Sequence, residues 1–394
     1  MKKFFLSTLI SSAVIFSSQL FALDFSVLAE SNSNFKFYEN KYSSPVLKEQ
    51  ESLTASLRLP FNNEGNVYFV TEGFFQYTLN VDINSDNSNS SDEFLADLTL
   101  FKFSSFTKKD NFDILFSAGR FFYSDLTGIV FAQENDGAFF QINNRNFTAG
   151  IYAGYTGLLN EKNVTVLDKN NSGYSLKPDS DFYSFAAPYL TGSVFFKLPY
   201  FYKSHSFAAE VSAVKGTEGP ADFSPDDSRF YGTVALDGSF TPELFYIIST
   251  TFSVNENCSL GNLTSAELSL FKGKASFTAS GVFASGNKGS LSAFNGFTSS
   301  TAVYSASEMQ YSSLIKGGLS LSYKPLDNLV LLASGDGVFD FGDETGFSGV
   351  QAGASCYFQL LSDVAISLDG TTFVSNKSSD ENLTSVTFKV ALAF

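Results

Sequence analysis

The C-terminal segment of the chain switches phase residue by residue. Thr384, Val386, Phe388, Val390, Leu392 and Phe394 fall on one side; Ser385, Thr387, Lys389, Ala391 and Ala393 fall on the other. Successive side chains of a β-strand point to opposite faces, so this segment carries one oily face and one wet face. A barrel closed within a membrane needs that pattern in every strand, with hydrocarbon outside and water inside.

The pattern recurs along the chain. Phe25, Val27 and Ala29 alternate with Asp24, Ser26 and Glu30, and Leu53, Ala55, Leu57 and Leu59 with Ser52, Thr54, Ser56 and Arg58. Phe75, Tyr77 and Leu79 read as outward, with Glu72, Gln76 and Thr78 inward; Phe230, Val234 and Leu236 alternate with Arg229, Tyr231, Thr233 and Asp237. No stretch of useful length shows the period of 3.6 expected of an amphipathic helix. Turn signals such as Asn62-Asn63-Glu64-Gly65 separate the segments on one side, and longer polar stretches such as Asp82 to Asp92 separate them on the other. Short connections at one end and long ones at the other are the signature of an outer-membrane barrel. The fold class expected is therefore all-β, a transmembrane antiparallel barrel of about 18 strands with short periplasmic turns and long extracellular loops. Sixteen strands is the alternative, in which the segment from Asp136 to Asn143 belongs to a folded loop.

At the other terminus, Met1 to Ala22 reads as a secretory signal peptide: Lys2 and Lys3 form its charged head, and an apolar run leads to Leu20-Phe21-Ala22 before Leu23. The expected organisation is residues 1–22 as the signal and 23–394 as one barrel domain, with strand signals starting at once and leaving no room for a large N-terminal plug; a hatch of a few terminal residues stays open as an alternative. No later stretch reaches the roughly 18 apolar residues of a spanning helix. Mean hydropathy is +0.03, which suits a barrel because half its strand residues face water. The 46 Phe and 18 Tyr, with no Trp, supply the lipid contacts and the interfacial girdles.

Net charge is −15 at pH 7. No basic patch exists, which excludes nucleic acid as a partner. No nucleophile–base pair, phosphate loop, zinc spacing or cofactor motif is present, so no catalytic residue, metal ligand or cofactor is assigned. The single His, His205, falls at an expected periplasmic turn. Cys258 is expected in a surface loop and Cys356 in phase with the apolar residues of its strand, so a disulfide between them is not expected.

A barrel of this size is too wide for its own side chains to fill, and its expected content is an aqueous channel. The residues expected to line or narrow it are Arg58, Glu72, Arg120, Glu134, Asp136, Arg229 and Asp237. Arg120 needs comment, because it falls in phase with Phe112, Ile114 and Phe116, which should face lipid. An Arg is costly there, so a bulge or the strand end should redirect it inward. The segment that follows, Gly128-Ile129-Val130-Phe131-Ala132, is apolar for an exposed loop and is expected to fold into the barrel, placing Arg120, Glu134 and Asp136 near a constriction.

Gly119-Arg120 near a strand end, then Asp125, then Asp136-Gly137, resembles monomeric porins of the alginate-export and substrate-specific type. Over the whole mature chain the broader likeness is to Gram-negative outer-membrane porins. That resemblance implies 18 strands, loops folded into the lumen, and a terminal strand read by the barrel-assembly machinery through Phe388, Val390, Leu392 and Phe394. The acidic balance departs from what a channel for polyanions such as alginate requires.

The function expected is a water-filled porin of the outer membrane for passive diffusion of small hydrophilic solutes, with a mild cation or sugar preference. The alternatives are a hydrophobic-solute transporter of the fatty-acid type and a surface adhesin barrel. The implied partners are outer-membrane lipid, the assembly machinery with periplasmic chaperones during biogenesis, and the solutes; monomer and homotrimer are both open.

Overall fold

The computed structural model describes residues 24–38, 45–83, 90–109, 111–168, 183–218, 225, 227–287, 290–298, 311–342, 345–376 and 382–394. The expected signal peptide lies outside the described residues.

The described residues form eighteen strands in chain order: β1 (Asp24–Tyr38), β2 (Val46–Pro60), β3 (Val67–Asp82), β4 (Ser90–Lys109), β5 (Phe112–Ser124), β6 (Ala132–Asn143), β7 (Thr148–Tyr155), β8 (Tyr189–Tyr202), β9 (His205–Gly216), β10 (Ser228–Ser239), β11 (Leu244–Asn255), β12 (Leu260–Lys272), β13 (Ala275–Ala284), β14 (Leu314–Leu326), β15 (Leu329–Asp340), β16 (Gly346–Leu361), β17 (Val364–Ser375) and β18 (Leu383–Ala393). Each pairs antiparallel with its neighbours in sequence, and β1 pairs with β18, so the sheet closes without an edge. Val27 and Phe394 complete the ring through reciprocal backbone hydrogen bonds of 3.1 and 2.8 Å. The segment from Asp136 to Asn143, which the sixteen-strand alternative placed in a loop, lies in β6.

Register fixes which way each side chain points. Phe75, Tyr77, Val194, Val211, Phe230, Phe277, Leu319, Leu368 and Phe388 share the outer face and are exposed. Leu319 is 70% exposed and Val211 64%, values that water would not tolerate across a whole belt but that hydrocarbon favours. Near the short turns the belt ends in aromatics: Tyr200, Phe201, Tyr202 and Phe240 are exposed, with His205 accepting or donating a hydrogen bond to the Tyr246 hydroxyl at 2.9 Å. This is an interfacial girdle built from Tyr, Phe and one His.

The two ends of the barrel differ, as the spacing predicts. Residues 203–204, 273–274 and 362–363 suffice to turn the chain at one end, whereas the longest separations between consecutive strands, 156–188 and 285–313, fall at the other. Not every connection at that second end is long: only residues 256–259 separate β11 from β12, and 341–345 separate β15 from β16. Cys258 sits in the first of these with φ of 58°, and both cysteines are free thiols.

Candidate functional site

The barrel wall changes character at one rung. β4 and β5 pair from Lys109 and Phe112 up to Phe101 and Arg120, and no further. β4 continues against β3 to Ser90, while β5 continues against β6 to Ser124. Pairing of β6 with β7 also stops there, at Asp136 and Tyr155. Above this rung the β5–β6 hairpin leaves both neighbours.

Gly119 permits the departure. Its φ is +121°, and a Cβ there would lie 2.0 Å from the Phe101 carbonyl oxygen. Only glycine fits such a backbone at such an approach. The chain beyond turns into the bore. Tyr123 stacks on the inward Tyr152 at 3.7 Å and 5°, shares a hydrogen bond with Ser193, and donates to Glu210 Oε1 at 2.9 Å. The Leu126 amide donates to the other Glu210 oxygen at 2.7 Å, and Asn135 donates to Thr191 at 3.1 Å. Ser193, Thr191 and Glu210 are inward residues of β8 and β9, so the hairpin tip lies inside the barrel against them.

Two further loops meet it. Phe131 stacks on Phe297 at 5.4 Å and 12°, and the Phe297 amide donates to the Val130 carbonyl at 2.9 Å. The Leu167 amide donates to the Phe297 carbonyl at 2.8 Å. Loops β5–β6, β7–β8 and β13–β14 thereby share one apolar core inside the barrel, built on Val130, Phe131, Val166, Phe294 and Phe297 over the inward faces of Tyr189, Tyr231 and Leu263. Segment 128–132 is thus inside the lumen and narrows it. Asp125 braces its turn by accepting from the amides of Thr127 and Phe131, each at 2.9 Å. Burial pushes the Asp125 carboxyl above its usual range, against the opposing effect of those bonds.

The seven residues singled out from the sequence take different places. Arg120 and Asp136 face each other across β5 and β6 at the rung where the hairpin departs. Arg120 donates from Nε and Nη2 to the two Asp136 oxygens at 2.9 and 2.8 Å, and to the carbonyls of Leu98 and Leu158 at 3.2 and 2.8 Å. Asp97 lies 3.7 Å away and accepts from Asn163 at 2.8 Å. Residues of the β7–β8 loop thus fill the slot between β4 and the departed hairpin. The Arg is turned from the lipid phase of its strand into a sealed joint. Glu134 stands half-buried on the same face, opposite Phe122.

Arg229 is 1% exposed. It pairs with Asp227 at 2.9 Å and donates to Asn295 Oδ1, the Gly296 carbonyl and the Leu167 carbonyl at 2.5, 2.6 and 2.7 Å. It faces a loop rather than open lumen, and it ties two loops to β10. Arg58 lies at the short-turn end beside Asp24 at 3.7 Å, its guanidinium 4.3 Å from the Tyr68 ring centroid. Asp237 pairs with Lys197 at 3.6 Å. Glu72 points inward and accepts from Thr99 at 2.9 Å. Arg120 and Asp136 are therefore brought together, while Arg58, Glu72, Arg229 and Asp237 are spread around the wall.

The loops cover one sector of the bore. Around β1–β3 and β16–β18 inward polar groups bond to one another within the wall, across or along strands, among the described residues. Asn34 donates to Ser385 and Thr387 at 2.9 and 2.6 Å, Gln50 to Gln76 at 2.6 Å, and Ser367 to Asp369 at 3.2 Å. Lys389 pairs with Glu30, and Lys316 with Asp336 at 3.8 Å. Two parts of the constriction escaped the sequence reading. One is the Tyr123–Glu210 clamp, whose partners are far apart in the chain. The other is the Phe294 and Phe297 contribution, for which an apolar pair inside a polar loop was the available signal.

No protein family model matches the sequence, and no curated protein does. Solved structures do match in shape. OccK7 (OpdD) of Pseudomonas aeruginosa superimposes with a TM-score of 0.65 over 95% of this chain and 99% of that chain, at 10% identity. The chain has the fold of that protein. Acinetobacter baumannii OccAB4 gives 0.64 over 95% and 99%, at 11% identity. The outer membrane protein OpdK of Pseudomonas aeruginosa gives 0.62 over 94% and 98%, at 6% identity. Such identities establish a shared eighteen-strand barrel and carry no residue roles.

Proposed function

We propose that this chain is a porin of an outer membrane, passing small hydrophilic solutes by diffusion through a partly constricted lumen. One observation carries the reading. Eighteen strands enclose a bore wider than side chains can fill, and the infolded loops pack against one sector of it, leaving inward polar groups of β1–β3 and β16–β18 outside that packed core. The exposed apolar belt supplies the lipid contact, and the match to the fold of an outer membrane protein agrees with it.

Charge favours cations over anions. Arg58, Lys197, Arg229, Lys316 and Lys389 each have a carboxylate partner, Lys102 lies over the Phe121 ring and Lys274 donates to the Pro325 carbonyl, whereas Glu72, Glu267 and Asp369 bond to hydroxyls. With a net charge of −15 over the chain, we read the surplus as negative, which raises the local concentration of cations. The wall is completed by the chain's own loop at the Arg120 joint, so conduction needs no second copy. Phe388, Val390, Leu392 and Phe394 alternate along the closing strand, where assembly factors could read them during insertion.

Planar-bilayer recording tests this reading. The folded protein should give ohmic steps in KCl and a reversal potential favouring K⁺ across a salt gradient. A membrane that stays silent, or strong anion preference, would overturn it.

A further inference from the structure

The lumen carries an apolar surface that a purely aqueous channel has no use for. Near the short-turn end, β11 and β12 turn Phe245, Ile247 and Phe271 inward, in the register that also buries Thr251 and Leu263 beneath the loops. Their exposures are 39%, 50% and 50%. Phe245 and Phe271 meet edge to face at 5.5 Å. With Glu267 and Ser269 they line a groove of about 450 Å³.

The groove is flanked by negative charge. Along one rung the register places Asp237 of β10 and Glu267 of β12 on either side of Ile247. Glu267 accepts from Ser269 at 3.0 Å, and no ion pair to it is formed among the described residues. Asp237 shares its charge with Lys197. Lys274, on the turn after β12, donates to the Pro325 carbonyl at 2.7 Å. An aromatic face attracts a cation through its quadrupole, and a neighbouring carboxylate adds to that attraction.

We propose that this groove is a binding site for organic cations with an apolar body: the body lies on Phe245, Ile247 and Phe271, and the ammonium faces Glu267. The proposal rests on the porin reading for access, and names one class of solute that such a channel would retain on its way through. Bare metal cations gain nothing from the rings, and anions meet uncompensated charge. Neutral sugars would use the rings but leave Glu267 idle.

The test compares two probes of equal charge on the full-length protein in planar bilayers, each added to both compartments. Benzyltrimethylammonium should interrupt the current at a concentration roughly ten-fold below that required of tetramethylammonium. Glu267→Gln and, separately, Phe271→Ser should each abolish most of that difference while leaving the KCl conductance in place. Retained heat-dependent migration on gels shows that each variant is folded. Equal block by both probes, or indifference of both variants, overturns the site while leaving the porin reading intact. A silent membrane overturns the porin reading instead. Calorimetry of the detergent-solubilised protein then decides the site: binding heat lost in Phe271→Ser supports it, and absence of heat overturns it.

Discussion

Arg120 and Asp136 stand directly opposite each other on β5 and β6 and are joined by a two-pronged ion pair, Nε to Oδ1 at 2.9 Å and Nη2 to Oδ2 at 2.8 Å. The pair marks the last rung at which the hairpin still belongs to the wall. The remaining donors of Arg120 reach Leu98, on the stretch of β4 that β5 has left, and Leu158 in the sealing loop. One guanidinium thus ties together the wall, the hairpin and the loop. Its planar fork suits this role in a way that a lysine ammonium does not.

Arg120→Ala should therefore destabilise the barrel by about 3 kcal/mol, because it leaves Asp136 and Asp97 without their cation in a mostly buried joint. Urea unfolding in lipid vesicles reads that loss. The same variant should flicker between conductance levels, since the loop that seals the slot loses its anchor. Arg120→Lys should restore part of the stability and little of the quiet current. Unchanged stability in the Ala variant would show that the joint is held by backbone alone.

Gly119 sets the geometry of the departure. A methyl group there would strike the Phe101 carbonyl at 2.0 Å, in a backbone region closed to L residues. Gly119→Ala should straighten the hairpin toward the wall and detach Tyr123 from Glu210. The expected outcome is a larger single-channel conductance with a folded barrel, checked by recording beside a heat-modifiability gel. A conductance equal to that of the parent would mean that the hairpin's position is set by its tip contacts.

The barrel was legible because its strands repeat one rule. Phe75, Phe230, Phe277 and Leu368 could be assigned to lipid from period 2 alone, since each strand must satisfy hydrocarbon on one side. Segment 128–132 could be placed inside for a related reason: Ile129, Val130 and Phe131 are too apolar for a loop in water. The site was harder to read. Arg229 shares the inward phase with Asp237, yet one is buried under Asn295 and Gly296 and the other lies in an ion pair with Lys197. Phase reveals the direction of a side chain and is blind to what covers it. Loop contacts such as Phe131 with Phe297 join residues more than a hundred positions apart and leave no local pattern.

Leu319 tests the membrane belt itself. It lies midway along β14, points outward and is more exposed than its neighbours on that strand. Leu319→Arg should cost about 2–4 kcal/mol in a bilayer, the penalty for a cation near the midplane of a lipid-facing strand. The cost should shrink in detergent micelles, where the headgroup can reach water. Vesicle and micelle unfolding curves measured side by side decide the point; equal cost in both would place Leu319 outside the hydrocarbon.

Glu72 and Asp369 test the electrostatics of the open sector. Both point inward, on β3 and β17, and both bond to hydroxyls, Glu72 to Thr99 at 2.9 Å and Asp369 to Ser367 at 3.2 Å. Neither charge is cancelled by an ion pair among the described residues, so both contribute to the field that a passing ion feels. Across a bore filled with water the effect of each is screened within about 8–10 Å at physiological salt, which makes position in the open sector decisive. Glu72→Gln with Asp369→Asn keeps shape and hydrogen-bonding capacity while removing two negative charges. The K⁺ over Cl⁻ preference should fall by roughly two- to five-fold at 0.1 M salt and by less at 1 M, because the Debye length is shorter there. Reversal potentials at the two salt concentrations provide the measurement. A preference that is unchanged at low salt would locate the selecting charges elsewhere, under the loops or beside Glu267.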